Sequence, residues 1–152
     1  MATGLEFAGI ILATFPLIIN GLENYENGFQ MIKEWSRFRN VFMVFMKSVG
    51  KQKLFFRQNI EELLAPIVRS EDHMLWLLDN PGGQGWRDEE LNDKLRRRLM
   101  GMDEYEYYMS TVGSIHALLE KLKTKLKLVD GEVCAAAAPA SGKFIIIIYN
   151  LR

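Results

Sequence analysis

The feature that most constrains the fold of this chain is its N-terminal segment, which is apolar and carries only one charged side chain, Glu6, in the first 22 residues. On a helical projection its large apolar side chains gather on one broad face. They are Leu5, Phe7, Ile11, Leu12, Phe15, Ile18, Ile19 and Leu22. Because such a face must be removed from water, we expect an amphipathic first helix. It either stays buried in a helical bundle or leaves the bundle for a membrane or a second copy of the chain.

The opposite side of this helix is only weakly polar. It contains Thr3, Glu6, Gly9, Ala13, Thr14, Asn20 and Gly21, with Ile10 and Leu17 among them. Gly9 and Ala13 form a strip of small residues, which would permit close helix contact in lipid. Pro16 lacks a backbone donor, and it therefore predicts a kink or two short helical pieces.

Two other interpretations of this segment are disfavoured. A secretory signal needs a positively charged start and a small-residue cleavage site, whereas here the start carries Glu6 and the end is polar. The uncharged run over residues 7–22 would span only ~24 Å as a helix, against roughly 30 Å of hydrocarbon. A stable single-pass anchor is not expected on that length.

The rest of the chain has the spacing of helices. Apolar residues follow steps of four and three from Met31 to Ile67, and again from Tyr108 to Leu126. We therefore predict an all-α helical bundle with a long central helix, or two nearly collinear ones, and Gly50 is the first candidate for an interruption because glycine weakens a helix interior. Pro66 marks the end of that helix.

Shorter signals divide the middle of the chain. Ser70 and Asp88 are each followed by acidic residues and a short apolar pattern, which is typical of a helix N-cap. The sequence PGGQGW at residues 81–86 predicts a compact turn, since proline fixes one dihedral and the glycines permit positive φ. We expect Trp86 to anchor this turn in the body of the domain.

Composition indicates one domain in a reducing compartment. The chain has 152 residues, 49% of them hydrophobic, which is enough for a core of its own. Its 19 basic and 19 acidic residues cancel, so net charge gives a nucleic-acid partner no advantage. Cys134 is the only cysteine, which excludes an intrachain disulfide and favours the cytosol.

Basic residues nevertheless cluster at three places. One group lies between Lys33 and Arg57, and another among the lysines at 121–127. Solvated helix faces explain both groups, and an anionic lipid surface is the alternative. The third group, Lys94 with Arg96, Arg97 and Arg98, suits a helix C-terminus; a nuclear-localisation or nucleic-acid patch is its alternative.

The sequence predicts no enzyme, cofactor or metal site. His73 and His116 have no second histidine or cysteine at helical spacing, and Ser114 is too close in sequence to His116 to indicate a nucleophile and its base. No nucleic-acid or small-molecule partner is expected.

The chain changes character near its end. We place the helical domain at residues 1–130 and an irregular tail at 131–152, which contains an alanine-rich stretch and the β-prone run FIIIIY at 144–149. That run could seed pairing between chains, but a truncated or mis-spliced end is the preferred interpretation.

Four segments carry a resemblance to a known family. They are GLEFAGIIL at residues 4–12, FPLII at 15–19, FFRQNIEELL at 55–64 and PGGQGW at 81–86. In this order they resemble the N-terminal helical domain of an uncharacterised fungal protein family, which is itself similar to the HeLo and HeLo-like (prion-inhibition and propagation type) domains. The resemblance covers residues 3–128.

The resemblance implies an interaction or effector module of a regulatory or cell-death pathway. In HeLo-type domains an apolar N-terminal helix is implicated in membrane targeting, which assigns membrane contact or self-association to this segment. The residues concerned are Leu5, Phe7, Gly9, Ile11, Leu12, Ala13, Phe15, Ile18 and Ile19. The alternative is a structural oligomerisation domain without membrane activity. Expected partners are a protein or a second copy, with a membrane as a further one, and the expected location is cytoplasmic.

Overall fold

The computed structural model describes residues 2–29, 35–126, 128–129 and 132–133. The α-helices are α1 (Gly4–Phe29), α2 (Trp35–Leu64), α3 (Glu71–Asp79), α4 (Glu89–Arg98) and α5 (Met102–Leu126), and a 3₁₀ turn covers Gln84–Arg87. After α5, β1 (Leu128–Val129) pairs antiparallel with β2 (Glu132–Val133). The prediction of an all-α fold with an apolar N-terminal helix and a long second helix is confirmed. The tail from residue 134 and its run at 144–149 lie outside the described residues.

Helix α1 is not divided at Pro16. The helix continues through this residue to Phe29, so the prediction of two short pieces is wrong. Proline removes one hydrogen bond from the helical ladder. Phe15, which precedes it, and Ile18, two residues after it, are buried at 5% and 0% exposure, and this packing offsets the lost bond.

Helix α2 is likewise continuous and runs through Gly50 without a break. A glycine costs a helix interior only about 1 kcal/mol relative to alanine, which the other 29 residues of this 30-residue helix outweigh. The helix ends at Leu64, just before Pro66, as predicted. Its predicted start at Met31 lies outside the described residues.

Both predicted N-caps are present. The Ser70 hydroxyl accepts a hydrogen bond from the backbone N–H of His73 at 3.1 Å. The Asp88 carboxylate accepts from the N–H groups of Glu90 at 2.9 Å and Leu91 at 3.2 Å. Each cap satisfies donors that the first turn of a helix leaves without partners, so these two helices begin where the sequence predicts.

The chain forms two compact units. The first consists of Met1–Thr14 and Lys53–Glu120, and the second of Phe15–Gln52 and Lys121–Arg152. The first unit has a contiguous apolar core. Its buried members are Leu5, Ala8, Leu12, Ile60, Leu64, Met74, Leu77, Leu78, Trp86, Leu91 and Leu95.

The second unit has buried side chains from the later part of α1, from α2 and from the end of α5. Trp35 and Phe42 meet edge to face with ring centroids 5.4 Å apart. The Tyr25 hydroxyl donates a hydrogen bond to the Leu126 carbonyl at 2.7 Å, which joins α1 to the last turn of α5.

Candidate functional site

The candidate site is the first half of α1 together with the residues of the first unit that pack against it, which we call the seat of α1. None of the residues from 4 to 19 is exposed, and the first exposed residue of the helix is Asn20. Gly9, Thr14 and Gly21, which the projection assigned to a polar side, are all buried. The weakly polar side is thus partly or fully buried over residues 3–14. The small side chains on that side allow neighbouring elements to pack close to α1. The Thr14 hydroxyl is satisfied within its own helix, because it donates a hydrogen bond to the Ile10 carbonyl at 2.8 Å.

Trp86 fills the space that Gly9 leaves. A Cβ atom built on Gly9 would lie 2.5 Å from Cγ of Trp86, so no side chain fits there with the indole in place. Trp86 is 1% exposed, and its Nε1–H donates to the carbonyl oxygens of Leu77 at 3.0 Å and Asn80 at 3.1 Å. The prediction that Trp86 anchors the turn is confirmed.

The same turn extends along the small-residue strip. Gly82 has φ of +75°, which permits the sharp bend, and a Cβ built on it would lie 3.4 Å from Cβ of Ala13. The strip formed by Gly9 and Ala13 therefore receives residues 81–86 of the same chain. Sequence reasoning identified both the strip and the turn, but it did not pair them.

Three polar contacts hold the N-terminal end of α1, and we call them the N-terminal contacts. The backbone N–H of Leu5 donates to Oδ1 of the buried Asn92 at 3.4 Å. The Tyr108 hydroxyl donates to the Gly4 carbonyl at 2.9 Å. The Glu6 carboxylate lies 3.3 Å from the Arg87 guanidinium. Each contact gives a polar group of α1 a partner from outside the helix.

Tyr108 is suited to its role in these contacts. Burial, with a smaller effect of Tyr105, raises the pKa of its phenol well above the ordinary value. The hydroxyl therefore keeps its proton and remains a donor throughout the physiological pH range.

The side chains expected to act in membrane contact or self-association lie mainly inside the domain. Leu5, Ile11, Leu12, Phe15 and Ile18 are buried at 6% exposure or less. Phe7, Ala13 and Ile19 are partly exposed, and Gly9 is buried. The Phe7 ring meets the imidazole of His116 with centroids 5.5 Å apart. The apolar face of α1 is thus core in the folded state.

Helix α1 is also longer than its uncharged run. Its 26 residues would extend about 39 Å at 1.5 Å per residue, so the length argument against a membrane span fails for the whole helix. By length and composition the stretch Gly4–Gly28 could cross a bilayer, and 56% of its apolar window is buried in the domain. The core helix of a soluble protein and a signal sequence can have the same length and the same apolar composition.

The serine and histidine side chains considered for catalysis form contacts within their own helix. The Ser114 hydroxyl donates to the Ser110 carbonyl at 2.8 Å, and His116 lies 3.9 Å from Glu120. Within the ranges that the structure describes, no three His, Cys, Asp or Glu side chains come close enough to hold a metal ion. Cys134 lies outside those ranges.

Comparison with protein families, curated proteins and solved structures gave no match to this chain. Its described part is characterised by five α-helices, of which the N-terminal one is apolar.

Proposed function

We propose that this chain is a non-enzymatic effector or interaction module of the HeLo-like kind, and that α1 is its membrane-active element. The observation that carries the proposal is α1 itself. A helix long and apolar enough to cross a bilayer lies near the N-terminus and is stored among the buried side chains of a helical domain. In this proposal the protein is cytoplasmic in its stored state, and its partners are a membrane and a protein or second copy.

The energetics of α1 support a transfer between two environments. Burial of a large aliphatic side chain is worth roughly 1.5–3 kcal/mol, whether the apolar surroundings are a protein core or hydrocarbon. Side chains such as Leu5 and Ile11, buried at 1% and 0% exposure, would therefore regain in lipid much of what they lose on leaving the core. The N-terminal contacts have no counterpart in lipid, so they favour the stored state.

A charge at the middle of α1 tests this function. Leu17 is partly exposed in the domain, so Leu17→Lys should leave the fold intact, unlike a charge at the fully buried Ile11. In a bilayer the same lysine would lie near the centre of the stretch Gly4–Gly28 and cost about 2.5–3.5 kcal/mol. We expect leakage from anionic vesicles to fall at least ~10-fold.

The matched control is Leu118→Lys, which places the same charge on α5 at a side chain that is 65% exposed. It should leave leakage unchanged, and the melting temperatures of both variants should stay near that of the wild type. If wild-type protein neither cosediments with vesicles nor causes leakage at any lipid composition, α1 is an ordinary core helix.

The alternative function is a structural oligomerisation domain without membrane activity. It is favoured by two adjacent large apolar side chains exposed on α2, Leu54 at 53% and Phe55 at 45%. Adjacent exposed apolar side chains are candidates for a contact surface. Light scattering of wild-type protein and of a Leu54→Gln, Phe55→Gln variant tests it. A concentration-dependent oligomer that the double variant abolishes would support this alternative, and a monomer for both would exclude it.

A further inference from the structure

Four cationic side chains line one open groove within the first unit. The groove has a volume of about 440 Å³ and lies between the turn after α2 and the last turns of α4. Its lining consists of Pro66, Ile67, Arg69, Lys94, Arg97 and Arg98. None of these side chains is acidic, and the two apolar ones lie side by side in sequence.

The basic run of α4 does not act as one patch. The Arg96 guanidinium lies 5.2 Å from the centroid of the Tyr105 ring and lines a separate groove with Met100 and Met109. Arg97 and Arg98 instead line the groove with Arg69. The sequence suggests a single cluster, whereas the structure divides its charges between two surfaces.

Glu90 forms ion pairs with two of the four cations. Its carboxylate lies 2.7 Å from the Lys94 ammonium and 3.8 Å from the Arg69 guanidinium. The hydrogen bond from Lys94, the charge of Lys94 and the charge of Arg69 lower the pKa of Glu90. The carboxylate therefore stays ionised at neutral pH, and it neutralises part of the charge of these two partners.

Arg97 and Arg98 have no such neutralising partner. In the part of the chain that the structure describes, neither guanidinium forms an ion pair. Their position in the last turn of α4 is favourable for the helix dipole, which is a sufficient structural reason for both. That reason does not extend to Arg69, which comes from the turn after α2, or to the apolar surface of Pro66 and Ile67.

We propose that this groove binds a phosphate monoester that is attached to an apolar group. Planar guanidinium groups bind phosphate oxygens in a bidentate manner, and two of them without ion pairs line the groove beside two apolar side chains. The anion would lie against Arg97 and Arg98, and the apolar group against Pro66 and Ile67. The groove is present while α1 is packed in the domain, so the site does not require release of α1.

The first test uses phenyl phosphate as a soluble probe in nuclear magnetic resonance titrations. We expect saturable shifts of the backbone amides at 67–69 and 94–98, and weaker binding of inorganic phosphate, which lacks the apolar group. Affinity should rise between pH 5 and 7, because the second ionisation of a phosphate monoester has a pKa of about 6.

Three variants separate a site from general attraction to a basic turn. Arg97→Gln with Arg98→Gln should weaken phenyl phosphate binding by at least ~10-fold, the loss expected for a charge-assisted bidentate contact. Arg96→Gln and Arg97→Gln are the matched pair, since each removes one charge from the same helical turn but only Arg97 lines this groove; Arg96→Gln should change affinity less than about twofold and Arg97→Gln more. Equal losses in Arg96→Gln and Arg97→Gln, or no saturable binding by the wild type, would overturn the proposal.

A second arm identifies the source of the phosphate. Vesicles containing phosphatidic acid carry the same group on a lipid, and Leu17→Lys protein is used so that insertion of α1 does not contribute. Binding that phenyl phosphate competes away and that Arg97→Gln with Arg98→Gln abolishes assigns a lipid source. Binding of phenyl phosphate alone assigns a soluble phosphate. Vesicle binding that phenyl phosphate does not affect would contradict the site.

Discussion

At Gly9 the absence of a side chain decides how closely the turn containing Trp86 approaches α1. The indole cannot retreat easily, because its N–H is bonded to two carbonyl oxygens at 3.0 and 3.1 Å. Glycine here is required by the contact with another element, since a helix interior by itself disfavours glycine. The same residue type has a different role at Gly50, where a Cβ added to the backbone would meet no atom within 4 Å.

This difference gives a matched pair of substitutions. Gly9→Ala should lower the free energy of unfolding by about 1–3 kcal/mol, the usual cost of overpacking a core. Gly50→Ala should raise it by about 0.4–1 kcal/mol, because alanine restricts the unfolded chain at a site with room for a methyl group. Urea denaturation of both variants measures the two changes. A neutral Gly9→Ala variant would mean that Trp86 does not occupy the position described.

At the scale of elements, the signals that sequence reasoning interpreted correctly are local ones. An N-cap and a glycine-rich turn depend on a few consecutive residues, so Ser70, Asp88 and the segment 81–86 were identifiable without any knowledge of their neighbours. The wrong predictions concern segments whose structure depends on contacts with distant parts of the chain. Continuity of α1 through Pro16 depends on packing that no local pattern reveals.

The covering of the weakly polar side of α1 is likewise set by a distant part of the chain. A helical projection places Gly9 and Thr14 on that side but does not show what covers it, and in the structure the turn at 81–86 lies against Gly9. The signal that could have paired them is the coincidence of a small-residue strip with a glycine-rich turn ending in tryptophan. The N-terminal contacts had no such signal, because Asn92 and Tyr108 are unremarkable in sequence.

The cap of α4 provides a prediction at this scale. Asp88→Ala removes an acceptor that satisfies two backbone N–H groups, and it should lower the free energy of unfolding by about 1 kcal/mol. Asp93→Ala is the control, because it removes an exposed carboxylate from the body of the same helix. Thermal unfolding should show a lower melting temperature for the first variant only. Equal effects would indicate that charge, and not the cap, stabilises α4.

At the scale of the whole molecule, the question is whether the seat of α1 controls its access to a membrane. The folded domain places most of the apolar face of α1 in its core, so stored and membrane-bound states compete for the same side chains. A substitution that weakens only the seat should shift the population toward release. A substitution that weakens the domain elsewhere should lower stability without that specific shift.

Trp86→Ala is the variant that tests this competition. It removes the side chain packed on Gly9, should lower the free energy of unfolding by about 3–5 kcal/mol, and should increase vesicle leakage at equal protein concentration. Trp86→Phe keeps an aromatic ring but loses both hydrogen bonds, so it should give a smaller increase in leakage. It serves as the test if the alanine variant does not fold. The control is Leu122→Ala, which removes from α5 a side chain of 9% exposure that lies in the second unit, outside the core around Leu5 and Leu12, at a cost of about 2–5 kcal/mol. Leakage that rises equally in Trp86→Ala and Leu122→Ala would show general loosening, and no rise in either tryptophan variant would contradict release of α1.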